Sequence, residues 1–182
     1  ITFSSTEAGT RFECQRPGFA AVACASPYTL TDLLDGEQWL TVHAMDPVGN
    51  TTSKTIVWNV DTVAPVITVT SVPMGVVNQP DTTVRFSVNE TGTTTICRID
   101  GGSAAACTSS YAITGLSDGD HTVSITSTDR AGNTTTATRT WTVDTTKPTV
   151  SVTSTVPAFT PDTSISVAFT ADETVTYACA LD

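Results

Sequence analysis

Apolar and polar residues alternate along much of the chain, which is the pattern of strands that bury one face. In "VRFSV", Val84, Phe86 and Val88 fall on one side, and in "TVSITS" Val123 and Ile125 do the same. These stretches are rich in Thr, Val, Ser and Ile, and no stretch has the apolar spacing of a long helix. The pattern therefore predicts an all-β protein.

Turn-forming residues separate the apolar stretches in the central part of the chain. They delimit seven predicted strands, at 66–70, 83–88, 94–99, 104–109, 111–116, 122–128 and 135–143. Seven short strands with turns between them are typical of an antiparallel sandwich of two sheets. In the last strand Trp141 and Val143 share a side, as Trp58 and Val60 do upstream. We expect both tryptophans in a core, with a sugar-binding surface as the alternative.

The chain repeats at an offset of 83 residues, the distance from Trp58 to Trp141. The stretch "LSDGDHTVSITSTDRAGN" at 116–133 has a close copy, "LLDGEQWLTVHAMDPVGN", at 33–50. Packing units that stack on one another are commonly duplicated with all their surroundings. We therefore predict a repeat lacking its first strand at 1–64, a complete repeat at 65–147 and the N-terminal part of a third at 148–182.

One stretch of the second repeat, "YAITGLSDGDHTVSITSTDRAGN", resembles the E strand, EF corner and F strand of fibronectin-type and bacterial Ig-like repeats. In that family a Leu, a Gly and a ring-bearing residue tie the corner together, and Leu116, Gly119 and His121 hold those places here. The first repeat has Gln38 in the third place. The repeat endings "WTVDTTKP" and "WNVDTVAP" are similar to junctions between bacterial Ig-like modules of large surface proteins and adhesins. The resemblance implies tandem antiparallel Ig-like β-sandwiches of about seven strands each in an extracellular stalk or fibre, and it does not imply an enzyme.

Proline stands at the start of the second and third repeats, at Pro65 and Pro148. Because proline lacks an amide donor and fixes φ, a strand stops there and the chain loses freedom before the next repeat begins. Only about four residues separate consecutive sandwiches, so we expect modules held nearly end to end in a rod of roughly 40 Å per repeat.

Four of the five cysteines form two equally spaced pairs, Cys14 with Cys24 and Cys97 with Cys107. Each pair encloses nine residues and a Gly-bearing turn, so it can close a hairpin. Closing such a loop is worth about 2 to 3 kcal/mol in the chain-entropy model. Zinc is the alternative, but the pairs lie in separate hairpins and only His43 and His121 could add ligands. Disulfides indicate an oxidising, extracellular compartment, and we expect Cys179 to pair with a residue beyond Asp182.

Acidic residues recur where consecutive repeats would meet. In an Ig-like topology the residues that end one repeat arrive beside the BC and FG loops of the next, and calcium prefers carboxylate and carbonyl oxygens. The candidate calcium ligands are Asp61, Glu90 and Asp129 at the first junction and Asp144 and Glu173 at the second. The alternative is that "DRAGN" and "DPVGN" are turns in which Asp and Asn bond nearby amides. The sequence indicates no other cofactor.

The F strands of the two repeats differ on the face opposite the predicted core. The second repeat carries Thr122, Thr126 and Thr128 there. The first repeat carries larger side chains at these places and two more in its hairpin, and the set is Phe19, Val22, Trp39, His43 and Met45. Exposed apolar residues that form a contiguous patch mark an interface. We predict contact with another chain or a neighbouring repeat, with neutral drift between the copies as the alternative.

The net charge is −10, with Lys54 and Lys147 as the only lysines. This charge argues against nucleic acid and anionic membrane surfaces as partners, because both attract positive charge. No apolar run approaches the roughly 18 residues of a membrane span, so we expect no direct membrane insertion in this segment. Catalytic interpretations fail because neither histidine recurs at its aligned position and no glycine-rich phosphate loop precedes a helix.

Three functions fit these observations. The first is a stalk or spacer region of an extracellular cell-surface or adhesin-like protein, which projects or links other domains. The second is a subunit of an extracellular filament or sheath that binds copies of itself. The third is a glycan-binding module. The expected partners are neighbouring Ig-like repeats and, for the filament, copies of this chain.

Overall fold

The computed structural model describes residues 1–180, and these form fourteen β-strands. In chain order they are β1 (Arg11–Gln15), β2 (Val22–Ala23), β3 (Gly36–Met45), β4 (Thr51–Val60), β5 (Ile67–Ser71), β6 (Val76–Val77), β7 (Thr82–Val88), β8 (Thr94–Ile99), β9 (Ala105–Ala106), β10 (Tyr111–Ile113), β11 (Gly119–Thr128), β12 (Thr134–Val143), β13 (Val150–Val152) and β14 (Phe169–Ala171). Within this described range there is no helix with the length and apolarity needed to cross a membrane. The prediction of an all-β fold is confirmed.

Spatial contacts divide the chain into two compact units. The first contains Ile1–Ile67, Val88–Thr95 and Thr126–Thr136, and the second contains Thr68–Ser87, Ile96–Ile125 and the chain from Ala137 onward. These units follow proximity in space, whereas the domains predicted above follow the repeat period. The boundaries at 64 and 147 therefore stay a prediction.

A four-stranded sheet in the order β2-β1-β3-β4 forms most of the first unit. Its longest element is the antiparallel hairpin of β3 and β4, which pairs continuously from Gly36 with Val60 to Met45 with Thr51. Alternation puts Leu40 on the inner face, where it is fully buried, and β1 adds the buried Cys14 to that face. The predicted inward side of this strand is confirmed.

Two sheets account for most of the second unit. One has the order β10-β7-β5 and the other the order β6-β12-β11-β8-β9. Their facing side chains form the largest core of the chain, with Val84, Phe86, Val123, Ile125, Trp141 and Val143 each at most 6% exposed. The seven predicted strands are all present within a few residues of their predicted bounds. This is the arrangement of an antiparallel Ig-like sandwich.

One strand, β6, was not predicted; it has two residues, runs parallel to β12 and pairs Val76 with Thr142. Two residues between Gly75 and Asn78 are too few to show alternation, and only the pairing with a distant strand identifies them. β6 covers the edge of β12, an edge that would otherwise carry unpaired backbone groups.

The two recurring tryptophans differ in burial. Trp141 is 3% exposed, as expected for a core residue. Trp58 is only half-buried, so the expectation of a core position is wrong for the first repeat. Short segments at Ile1 and Tyr28 lie over this part of the face, and two backbone hydrogen bonds join them. They leave a cleft beside Trp58, which is why its side chain is only partly covered.

The third repeat begins with a two-stranded sheet. β13 and β14 pair antiparallel through three residues each, from Val150 with Ala171 to Val152 with Phe169. The ring of Phe169 packs edge-on against Tyr177, with 4.8 Å between the ring centroids. Most residues from 148 to 180 are exposed, since this segment lacks a second sheet within the described range.

The corner before β11 is closed by His121. Its Nε2 lies 2.7 Å from the carbonyl oxygen of Ser117, and its Nδ1 lies 2.7 Å from a carboxylate oxygen of Asp100. Both partners are acceptors, so both ring nitrogens must donate, which only the protonated imidazolium can do. The hydrogen bond to the Ser117 carbonyl and the bond to Asp100 raise the pKa of His121 above its usual 6.5, against the opposing effect of burial.

The first repeat closes the same corner without a ring. Gln38 donates from Nε2 to the carbonyl oxygen of Leu34 at 2.9 Å, which is the same four-residue step as His121 to Ser117. The amide needs no proton from solvent to do this. The corner hydrogen bond is therefore present in both repeats and depends on ionisation in only one.

We predict that this corner makes the stability of the chain pH-dependent. Because folding raises the pKa of His121, its stabilisation is complete below pH 6.5 and is lost as the pH rises through the folded-state value. His121→Gln, which copies the first repeat, should remove this loss. Urea unfolding of both proteins from pH 6 to 9 measures it, and NMR titration of the His121 ring gives the pKa directly. An identical pH dependence in the two proteins would contradict the prediction.

Candidate functional site

Both predicted cysteine pairs are disulfides in the structure. Cys14 bonds Cys24 and Cys97 bonds Cys107, each with 5.7 Å between the Cα atoms. The two hairpins have the same strand register, because Cys14 lies opposite Val22 and Cys97 opposite Ala105. In each hairpin the second cysteine comes two residues after the residue that faces the first. The same covalent closure therefore holds the same hairpin in both repeats. Cys179 is exposed and has no disulfide partner among residues 1–180.

A carboxylate holds the chain as it leaves each of the first two repeats; we name these two contacts the exit clamps. In the first, Asp35 accepts hydrogen bonds from the backbone N–H and the hydroxyl of Thr62, at 3.1 and 2.9 Å. In the second, Asp118 accepts from the same two groups of Thr145, at 2.9 and 2.7 Å, and from the Thr146 hydroxyl at 2.8 Å. These bonds, from the Thr145 hydroxyl first, hold the pKa of Asp118 below its usual value.

A second contact holds the chain as it enters the next repeat; we name these two contacts the entry clamps. The side-chain oxygen of Asn89 accepts from the backbone N–H of Val66 at 2.6 Å, and the N–H of Asn89 donates back to the Val66 carbonyl at 3.2 Å. In the third repeat Asp172 makes the same pair of bonds with Thr149, at 2.8 and 3.3 Å. The Thr149 amide is the main reason that the pKa of Asp172 is lowered.

The linkers between clamps, residues 61–65 and 144–148, are therefore bound at both ends. The first is held further by Asn133, whose side-chain amide donates to the carbonyl oxygen of Asp61 at 3.0 Å, and by Pro65, which is fully buried. Asp61 also turns the chain by accepting from the Val63 amide at 3.1 Å. Few bonds in this linker can rotate without breaking one of these contacts.

The clamps were not predicted from the sequence. Part of their signal was present, because Asp35 and Thr62 recur as Asp118 and Thr145 at the same offset, at which Val66 is aligned with Thr149. The sequence does not show that the two residues are close in space, since Asp35 and Thr62 lie 27 residues apart in the chain. Only the fold shows that a polar residue in one loop reaches a distant linker.

The Asp-Gly-Asn loops act as the turns that the sequence suggested as an alternative. In the first repeat Asp46 accepts from the amides of Val48 and Asn50 at 2.9 and 2.8 Å. In the second, Asp129 accepts from the amides of Gly132 and Asn133 at 2.7 and 2.9 Å. These are the local bonds by which Asp and Asn stabilise turns.

Three of the five predicted calcium ligands lie together. Carboxylate oxygens of Asp61, Glu90 and Asp129 are all within 4.8 Å of one another, and none of these residues is fully exposed. Partial desolvation raises the pKa of Asp129, but its bonds to the Asn133 side chain and to loop amides outweigh this and lower the pKa overall. Asp129 is therefore ionised at neutral pH and close to two further acids.

The equivalent residues of the next junction do not form such a group in the described part of the chain. Asp144 is half-buried, and its carboxylate accepts from the Thr146 amide at 3.1 Å. Glu173 is exposed. The calcium hypothesis stays a prediction at both junctions, and the structure brings the ligands together only at the first.

The five predicted interface residues do not share one face. Alternation along β3 puts Trp39, His43 and Met45 on the side opposite Leu40, but Val22 pairs with the inward-facing Cys14 and so lies on the other side. The exposed side chain of Phe19 lines, with Trp39, a cleft of about 480 Å³. The predicted surface therefore reduces to the β3 stripe and this cleft, and its partner stays a prediction.

Comparison with known proteins gives one family match and two similar solved structures. Residues 66–145 match the model of the family described as bacterial Ig-like domain. The chain is similar to the fibronectin(III)-like modules of CbhA from Clostridium thermocellum, with 16% identity, a TM-score of 0.45, and coverage of 78% of this chain and 82% of that one. It is also similar to a tetra-tandem repeat in the extending region of a large adhesion protein, with 19% identity, a TM-score of 0.37, and coverage of 80% and 44%. No curated protein matches the chain.

We predict that each hairpin disulfide contributes to stability. Replacing Cys97 and Cys107 by Ala should lower the free energy of unfolding of the second repeat by about 2 to 3 kcal/mol, because the open loop has more conformations in the unfolded chain. Urea unfolding of the variant and of the equivalent Cys14 and Cys24 variant measures the effect. Cys179→Ala is the control, since that thiol is unpaired within residues 1–180. A loss below about 0.5 kcal/mol would contradict the prediction.

The calcium hypothesis predicts stabilisation by the metal. A site of the affinity usual for extracellular modules would add about 1 to 3 kcal/mol at 10 mM calcium relative to chelator. Glu90→Gln should abolish this gain, and Glu173→Gln, at the exposed equivalent position, should retain it. Calorimetry of the three proteins in calcium and in chelator measures the melting temperatures. Equal melting temperatures of the unsubstituted chain in both conditions would end the hypothesis.

Proposed function

We propose that this chain is a structural repeat region of an extracellular bacterial surface protein, in which the modules act as a stalk or spacer. The segment 66–145 matches the bacterial Ig-like domain family, and the fold is an antiparallel Ig-like sandwich. A fold of this kind hosts many functions, so particular contacts and not the fold must indicate the function.

The observation that carries the proposal is the recurrence of the clamps. Asp35 and Asp118 hold the chain after one repeat, and Asn89 and Asp172 hold it before the next. Charged or amide oxygens bind backbone N–H groups in all four cases, and bonds to ionised oxygens are stronger than neutral ones. A linker bound at both ends changes direction only if these bonds break. Stiff linkers let repetition produce length, which is what a spacer requires.

The disulfides support an extracellular place for this region. Both hairpins carry one, and disulfides persist in oxidising compartments outside the cytosol. They also close the loop of each hairpin covalently, so that a hairpin under tension cannot open fully. The net charge of −10 adds repulsion between chains, which favours solubility at a crowded surface.

The experiment that tests the stalk is a measurement of linker stiffness. Spin labels introduced as non-natural amino acids before and after residues 61–65 report a distribution of distances across the linker. We expect a narrow distribution in the unsubstituted chain. Asp35→Ala should broaden it by up to about 10 Å, the end-to-end spread of five flexible residues, because the exit clamp is lost.

The matched control removes a carboxylate that makes no clamp. Glu37→Ala takes one negative charge from an exposed position two residues from Asp35 and should leave the distribution narrow. A distribution that is already broad in the unsubstituted chain would contradict a stalk. So would equal widths in the Asp35 and Glu37 variants, since the clamp would then not control the linker.

A further inference from the structure

A cleft in the first repeat is lined by side chains that the second repeat does not have. Its walls come from the turn of the first disulfide hairpin, from the corner before β3 and from the first residues of β3, and its volume is about 480 Å³. Pockets that bind small molecules have volumes of roughly 300 to 1,000 Å³. All three segments have counterparts in the second repeat at the same offset, so the two repeats can be compared position by position.

In the second repeat hydrogen bonds join the hairpin turn to the neighbouring strand. Asp100 donates its backbone N–H to the carbonyl oxygen of Thr122 at 2.9 Å, and its carboxylate accepts from the Thr122 N–H at 2.7 Å. The same carboxylate binds His121, which closes the corner. Turn, strand and corner are therefore held together at this place.

The first repeat has Pro17 where the second has Asp100. Proline has neither a backbone N–H nor a carboxylate, so neither of the two bonds to the strand can form here. Trp39, at the position of Thr122, keeps its backbone N–H and carbonyl without these two partners. The hairpin turn and the corner are thus not joined through this residue, and the cleft lies between them.

The side chains that line the cleft are larger or carry a charge where those of the second repeat do not. The second repeat has Ile, Gly, Gly, Ser and Thr at five places where the cleft is lined by Arg16, Phe19, Asp32, Leu34 and Trp39. These five residues come from all three segments of the wall. The changes therefore converge on one cleft.

The backbone conformation of Asp32 supports a role for its side chain. Asp32 has a φ of 56°, in the left-handed region, and Gly115 has a φ of 69° at the equivalent place. Glycine adopts this conformation without strain, whereas a residue with a side chain does so at a cost in free energy. The first repeat therefore has a carboxylate beside the cleft at a position where the fold favours glycine.

The guanidinium of Arg16 is held against an aromatic ring. Its central carbon lies 4.1 Å from the centroid of the Phe19 ring, which is the geometry of a cation–π contact. The one ion pair among residues 1–180 lies elsewhere, so neither Arg16 nor Asp32 is paired with an opposite charge. The cleft thus offers a guanidinium donor, a carboxylate acceptor and the ring of Trp39.

We propose that this cleft binds a neutral saccharide. A sugar ring has an apolar face of C–H groups, which packs on an aromatic ring such as that of Trp39. It also has a rim of hydroxyl groups that both donate and accept hydrogen bonds, so Asp32 accepts from some of them and Arg16 donates to others. This binding goes beyond the stalk role and does not rest on it, because it uses no residue of the clamps.

The charges of the cleft favour a neutral ligand over a charged or a purely apolar one. An anion would be repelled by Asp32, and a cation would be repelled by Arg16. The net charge of −10 disfavours anions further. A purely apolar ligand would cover both charges without binding them, which costs free energy. A molecule with hydroxyl groups on an apolar ring avoids all three penalties.

Titration with oligosaccharides, observed by NMR, tests the proposal. The neutral probes are maltohexaose, cellohexaose, mannohexaose and chitohexaose, and hexagalacturonate is the anionic comparison. The chain has three tryptophans, so isotope-labelled indole groups give three signals. We expect the Trp39 signal to shift and saturate with at least one neutral probe. The signal of Trp141, which is buried in the second repeat, should stay in place.

Three variants, compared by calorimetric titration with the bound probe, separate the cleft from the rest of the face. Trp39→Thr copies the second repeat and should weaken binding about tenfold, as removal of a central aromatic contact does. Asp32→Gly should weaken binding while the melting temperature stays the same or rises, because glycine relieves the backbone strain. Met45→Thr is the matched control, on the same side of β3 but outside the cleft, and should bind as the unsubstituted chain does.

Four outcomes would overturn the proposal. The first is a Trp39 signal that no neutral probe shifts, and the second is tighter binding of hexagalacturonate than of every neutral probe. The third is a loss of binding in Met45→Thr as large as that in Trp39→Thr, because the ligand would then lie along the outer stripe of β3. The fourth is a Trp39 signal that shifts with protein concentration alone, because another copy of the chain would then cover the cleft.

Discussion

The structure depends on covering the apolar face of one sheet with a second layer. In the second repeat this layer is complete, and Val84, Val123 and Trp141 are each at most 3% exposed. Burial of such side chains is worth roughly 1.5 to 3 kcal/mol each, so a sandwich with one layer short loses a large part of its stability. The first repeat meets the same demand only in part, since Leu40 is fully buried while Trp58 is half-buried.

In the loops no neighbouring strand pairs with the backbone. There the carboxylate and amide side chains form hydrogen bonds with the backbone N–H groups. Asp46 and Asp129 bind amides of their own loops, whereas Asp35 and Asp118 bind amides in a linker. A single short side chain with two acceptor atoms can satisfy several N–H groups at once. The one ion pair found among residues 1–180 is that of His121 with Asp100.

The sequence predicted those features whose signal lies within a few residues. Alternation located the seven strands of the second repeat, and equal spacing paired the cysteines. Features that join distant residues were missed or misplaced: β6 needs β12, the Asp35 clamp needs Thr62, and Val22 faces inward because of its register with Cys14. The grouping of Asp61 with Glu90 and Asp129 was predicted from topology, which brings distant loops together, but topology could not supply the 4.8 Å between their oxygens. Long-range contacts are visible in a sequence only when the repeat or the fold family implies them.

Comparison of the two copies separates what the fold requires from what one copy happens to contain. His121 and Gln38 are chemically different, yet each bonds the carbonyl oxygen four residues earlier. Asn89 and Asp172 differ in charge, yet each bonds the first amide of its repeat. Where different residues preserve one hydrogen bond, the fold requires that bond. The charge of the residue that makes it belongs to one copy only. By the same reasoning the hydrogen bond at this corner does not require the positive charge of His121, because Gln38 shows that a neutral donor suffices to bind that carbonyl.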